Sequence, residues 1–163
     1  MTRLVRPTFV LLAAALAAAG ATAPSAGARL SGCERKIVRL VNDVRAQHDL
    51  TRVRVSRALG RAADHHSRDM LMRDFFDHSS SDGTPFDRRV RRYAHARTVG
   101  ETLAAFGRRR GGAHTVVQMW LESPPHRAIL LGADFRRIGI AHRWGMLGNA
   151  KQAVVTADFA SSR

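Results

Sequence analysis

A single cysteine, Cys33, is all that this 163-residue chain has with which to cross-link itself. An intramolecular disulfide scaffold, a cysteine-based zinc knuckle and a CxxC redox pair are all excluded by that count. The fold must therefore stand on a hydrophobic core. The 45% apolar content, with 25% charged residues, is enough to fill one and argues against wholesale disorder or a collagen-like fibre. The length suits one domain.

Arg3 and Arg6 form a basic n-region, Phe9 to Ala19 is an uncharged apolar stretch, and Ala26-Gly27-Ala28 has the small-x-small form of a cleavage site. This pattern predicts a secretory signal peptide over residues 1–28, with residues 29–163 as a single exported domain. The apolar run is short for a transmembrane helix, and no later segment is long and uncharged enough to span a bilayer. Leu30-Ser31-Gly32-Cys33 has the form of a bacterial lipobox, which would place a lipid on Cys33; Pro24 and Arg29, however, separate it from the apolar run. The 27 basic and 13 acidic residues give a formal net charge of +14. Only Lys36 and Lys151 are lysine, a bias that GC-rich coding explains. A domain so basic is drawn to anionic lipid headgroups, envelope polymers or stray nucleic acid in a salt-sensitive way. Charge alone names no ligand, and no specific nucleic-acid motif accompanies it.

Ile37, Leu40, Val41 and Val44 fall at i, i+3, i+4 and i+7 and predict a helix over 33–47. Residues 50–55 read as a short extended connector. Ser56 is placed to cap a second helix whose buried face carries Leu59, Ala62, Ala63, His66 and Met70. His66 is expected inside and hydrogen-bonded, His65 in solvent. Residues 78–83 form a polar loop. Thr84-Pro85-Phe86-Asp87 predicts a short helix capped by Thr84 with proline at its first position. Residues 98–105 read as a strand or a helix end, and 107–112 as a basic loop. A helix over 113–122 carries Val116, Val117, Trp120 and Leu121, and Ser123-Pro124-Pro125 stops it and starts the next. Residues 138–144 and 153–159 read as an antiparallel hairpin turning at 145–149. Helices flanking a small, mainly antiparallel sheet make a three-layer α/β/α sandwich.

Six segments in order carry a resemblance: Leu40-Val41-Asn42-Asp43-Val44-Arg45, His66-Ser67-Arg68-Asp69-Met70, Phe75-Phe76-Asp77-His78-Ser79, Gly100-Glu101-Thr102, Trp120-Leu121-Glu122-Ser123-Pro124-Pro125-His126-Arg127 and Phe135-Arg136-Arg137-Ile138-Gly139. Together, over about residues 34–159, they resemble the CAP superfamily of cysteine-rich secretory, antigen 5 and pathogenesis-related proteins, in its bacterial secreted branch. The resemblance implies an α/β/α sandwich with a cleft lined by His78, Glu101, Glu122 and His126, supported by Ser79, Asn42, Arg45 and Arg127. Two of the chain's three glutamates occupy those positions. The family's Gly-Glu-Asn is Gly-Glu-Thr here, and the asparagine usual two residues after His-Arg is Ile129. Both changes bear on the hydrogen bonds around the cleft.

Two imidazoles and one or two carboxylates suit Zn²⁺ or a similar divalent ion, and the same groups can relay protons. Pro124 and Pro125 break any shared helix face between Glu122 and His126, so these two must meet across a turn. Glu–His bonds that merely tie loops to the sandwich are the structural alternative. Three functions follow: a monomeric binding module at the cell envelope, acting on a lipid, polymer or protein; a metal-dependent hydrolase using the tetrad; or a cationic protein held to anionic polymers by charge. A Ser79-centred hydrolase lacks any nucleophile-positioning motif.

Overall fold

A computed structural model gives the fold and describes residues 29–107 and 111–162. The predicted signal peptide and the arginines of the basic loop, residues 108–110, lie outside the described residues. Five helices and four strands follow in the order α1 (Gly32–Ala46), β1 (Arg54–Val55), α2 (Arg57–Arg73), α3 (Phe86–Arg91), β2 (Val99–Gly107), α4 (Ala113–Glu122), α5 (Pro124–Leu130), β3 (Phe135–Leu147) and β4 (Ala150–Ser161).

The long helices begin where side chains can take the free N–H groups of a first turn. Ser31 and Glu34 close a reciprocal capping box on α1, and the Ser56 hydroxyl accepts from Leu59 N at the start of α2. The short helix differs from expectation. Its cap position is Pro85, whose ring has no acceptor to offer, and Thr84 lies one residue outside the helix, its amide donating to Asp82 Oδ1 in a turn. The hairpin is also longer than predicted. Gly145 lies within β3, where a side chain would press on Leu71 at 3.0 Å, and the chain reverses only at Gly148, whose φ of +58° suits glycine.

The sheet order is β1-β3-β4-β2, with β1 parallel to β3 and the other pairs antiparallel. Along β4, Ala153, Val155, Ala157 and Phe159 face one way and join Ile37, Val41, Val116, Trp120 and Leu130 of α1, α4 and α5 in the main core. Val154 and Ala160 face the other way, toward Met70 and Leu59 of α2 and Val90 of α3. Two helical layers thus enclose one sheet, the α/β/α sandwich expected. α2 lies so close to β3 that a Cβ on Gly139 would stand 2.1 Å from the Leu59 carbonyl carbon. The Trp120 indole donates to Leu103 O at 2.9 Å. Among the described residues no helix is long and apolar enough to cross a membrane.

Candidate functional site

The Ser161 amide donates to Thr98 O, and the β2–β4 pairing runs from there without a shift. Hydrogen-bonded and non-hydrogen-bonded pairs alternate along an antiparallel ladder. Glu101 and Asp158, three rungs in, therefore face each other as a non-hydrogen-bonded pair, the arrangement that brings side chains closest. Both are buried, on the α2 side of the sheet.

A buried carboxylate needs compensation. Glu101 receives Arg89 Nη2 of α3 on Oε2 and His78 Nδ1 on Oε1 at 2.8 Å, while His66 Nε2 of α2 stands 4.0 Å from Oε1. The other terminal nitrogen of Arg89, Nη1, donates to His78 O at 3.0 Å and Ser80 Oγ at 2.9 Å. One guanidinium thus fixes both the carboxylate and the loop that carries His78. Since a carboxylate only accepts, the His78 Nδ1 donates, and in the neutral ring Nε2 keeps its lone pair. The His78 side chain is 46% exposed, so this nitrogen belongs to a ring open to solvent.

His126, on α5, stands with its ring centroid 5.7 Å from that of His78. Burial, and then the neighbouring His78, lower its pKa, which favours the neutral imidazole at pH 7. His66 is shifted down as well, by burial first. Its Nε2 meets Asp77 O at 2.9 Å, an acceptor, so Nε2 carries the proton and Nδ1 has no partner within the described chain. The sequence expectation of an interior, hydrogen-bonded His66 holds.

Asp158 is the least expected member. Neither of its carboxyl oxygens has a partner within the described chain. Burial, and then the Glu101 carboxylate, raise its pKa well above the usual carboxylate range, which favours the neutral acid, the form that can donate to Glu101. The native state holds a proton that the unfolded chain gives up near pH 3.9. Stability due to this group is therefore greatest below that pH and falls as pH rises toward the native pKa, by about 1.4 kcal/mol per pH unit. Asp158→Asn keeps the shape and a donor without the titration. It is expected to be more stable than the parent at pH 7 in urea melts, with the difference shrinking toward pH 4. Equal slopes of stability against pH would show Asp158 to be ionised.

The other expected site residues are dispersed. Glu122 does not join the cleft. It ends α4 on an exposed face, accepts from Gln118 Nε2 at 2.9 Å, and lines a depression with His114 and Met119, because the following prolines turn α5 away from the α4 axis. Asn42 exchanges two hydrogen bonds with the Val53 backbone, and buried Arg45 donates to the carbonyls of Thr51, Leu130, Gly132 and Phe135. Both hold connecting segments to α1 rather than lining the cleft. Arg127 is exposed, and the amide of exposed Ser79 donates to Asp77 Oδ1. Cys33 is half-buried against the main core, and burial raises its thiol pKa. Among the described residues, no three His, Cys, Asp or Glu side chains are gathered as a metal-holding group. A closed three- or four-ligand site does not fit this arrangement.

Sequence reasoning missed Arg89 and Asp158. One signal was available for the second: a lone acid within the otherwise uncharged run of Ala153 to Ala160 must find company when the strand is buried.

Residues 38–155 match the sequence model of the Cysteine-rich secretory protein family. The chain is 31% identical over 122 residues to the uncharacterized protein YkwD of Bacillus subtilis, covering 74% of this chain and 46% of that protein. It thus spans less than half of that relative's length. An outer surface protein from Borrelia burgdorferi superposes with a TM-score of 0.67 at 18% identity, covering 79% of this chain and 92% of that one. An extracellular protein containing a SCP domain from Bacillus anthracis superposes with a TM-score of 0.65 at 23% identity, covering 83% of this chain and 45% of the other.

Proposed function

Because the chain belongs to the cysteine-rich secretory protein family, we propose that it is an exported module that binds a partner at the cell envelope through the His78–His126 cleft, with a divalent ion as part of the site. The observation that carries this reading is the chain of contacts behind His78. Arg89 anchors the buried Glu101, and Glu101 accepts a hydrogen bond from His78 Nδ1. A carboxylate behind an imidazole orients the ring and makes its other nitrogen a better donor to a metal. His126, favoured as neutral by its burial, supplies the second imidazole. A divalent ion held by these two side chains would keep positions open for a polar group of the partner and act on it as a Lewis acid. Export is supported by the leader-like residues 1–28, and an envelope setting by the extracellular and outer-surface proteins that share the fold.

Calorimetric titration of Zn²⁺ into metal-free protein, at a pH where free histidine is neutral, tests the cleft. One equivalent is expected to bind, His78→Ala/His126→Ala is expected to abolish it, and Glu101→Gln is expected to weaken it by about 10–100-fold. Binding that ignores all three substitutions, or no binding at all, would reduce the cleft to a hydrogen-bond network. Adhesion to anionic polymer that fades with salt and ignores these substitutions would replace the proposed site by simple charge attraction.

A further inference from the structure

A second cleft, of about 270 Å³, lies between α2, the 80–84 loop and α3, and His78 is not among its lining residues. It stands behind the wall formed by Arg89, whose Nη2 is paired with Glu101 and whose Nη1 bonds Ser80 and the His78 carbonyl. Three features define what it can hold.

Its lining carries both signs. Asp69 and Asp82 face Arg92, and the Arg89 guanidinium beside them is already paired with Glu101, although the chain as a whole carries +14. Neither an anion nor a cation is selected by such a lining. Its rim is also fixed: Asp69 accepts from both Ser81 N (2.8 Å) and Ser81 Oγ (2.6 Å), which clamps the loop to α2.

Two of its lining residues carry complementary unpaired atoms. Arg89 Nε–H is a buried donor without an acceptor, and His66 Nδ1 is a buried lone pair without a donor, among the described residues; both side chains line the cleft. Hydroxyls are the groups that can both accept from the first and donate to the second. Water can do the same, but the cleft also presents the ring of Tyr93, held edge-on to His65 at 5.7 Å with its hydroxyl 2.5 Å from His65 Nδ1. A fixed aromatic surface beside a mixed set of donors and acceptors suits a ring that is apolar on its face and hydroxylated on its rim. The volume, just below the roughly 300 Å³ at which ligand pockets begin, suits one such ring.

We infer that the cleft between α2, the 80–84 loop and α3 is a binding subsite for a neutral saccharide ring. It adjoins the His78–His126 cleft across Arg89 and requires no metal there.

Amide chemical shifts of the folded domain, followed by NMR during titration with cellotriose, chitotriose and mannotriose, test this directly. At least one trimer is expected to give saturable shifts at Ser80 to Thr84 and Tyr93, with a dissociation constant of about a millimolar, as befits so small a contact. Tyr93→Ala, with an unchanged melting temperature, is expected to weaken this by at least about tenfold. Arg92→Gln is expected to change it by less than about threefold, because the ligand is uncharged. The His126→Ala variant, and Zn²⁺ added or withheld, should leave it unaltered, so failure of the metal reading and failure of this one are distinguishable. No shifts with any of the three trimers would overturn the inference and leave the unpaired atoms to internal water. Shifts at the same residues with inositol hexaphosphate alone, lost in Arg92→Gln, would overturn it in favour of an anion site.

Discussion

Gly139→Ala is expected to destabilise the domain by more than about 3 kcal/mol, enough to lower its melting temperature by about 10 °C or to prevent folding. The added methyl would lie 2.1 Å from the Leu59 carbonyl carbon, 2.2 Å from Gly60 N and 2.4 Å from Leu59 Cβ. Two of these are backbone atoms in the first turn of α2, so no side-chain rotation can make room. Either the helix lifts from β3, opening the interface that buries Leu59, or the strand bends away from β4. Native stabilities of about 5–15 kcal/mol leave little to absorb that. Gly107→Ala, whose new methyl meets nothing within 4 Å, is the control and should cost less than about 1 kcal/mol. Comparable urea midpoints for the two variants would mean that α2 and β3 are not in contact at this point.

Arg89→Met is expected to cost about 3–5 kcal/mol, because it strips the cationic partner from a carboxylate that is fully buried. The penalty is sharpened by Asp158, which stands opposite with no donor other than its own proton among the described residues. Once Glu101 loses the guanidinium, two acids share one buried space. Adding Glu101→Gln to Arg89→Met removes the stranded charge and should recover a good part of the loss. The two single costs should therefore exceed the cost of the pair by about 1–3 kcal/mol in a double-mutant cycle. Strict additivity in urea unfolding would show that Arg89 stabilises through the loop it ties, via His78 O and Ser80, and not through Glu101.

Much of the architecture could be read from local pattern. The stripe at Ile37, Leu40, Val41 and Val44 marks α1, the Ser56 hydroxyl caps α2 as its position implies, and Ala113 to Glu122 is the helix that its apolar spacing describes. Each signal sits within a turn or two of what it specifies. The 98–105 segment was ambiguous because its alanines and glycine carry little strand preference of their own; it is β2 because β4 pairs with it from Val99 to Gly107. The site divides along the same line. His78, Glu101 and His126 are recognisable from the motifs around them. Arg89 is one arginine in a basic chain, with nothing nearby to mark it, and it matters only because α3 packs where Glu101 emerges from the sheet. Asp158 becomes a partner of Glu101 through strand register alone. Glu122 misled because closeness to His126 along the chain does not survive two consecutive prolines.

The Trp120–Leu103 hydrogen bond bears on how copies of this domain behave together. Leu103, like Glu101, is at a non-hydrogen-bonded rung of the β2–β4 ladder, so its carbonyl points away from β4 toward a border of the sheet that is open among the described residues. An open border is where a stray strand from another molecule can dock and begin aggregation. Here the middle of that border is occupied by an indole that is itself fully buried. A second chain can register along β2 only by pulling Trp120 out of the main core. Resistance to strand-by-strand association is thus tied to the same packing that keeps the domain folded, and conditions that loosen α4 would compromise both at once.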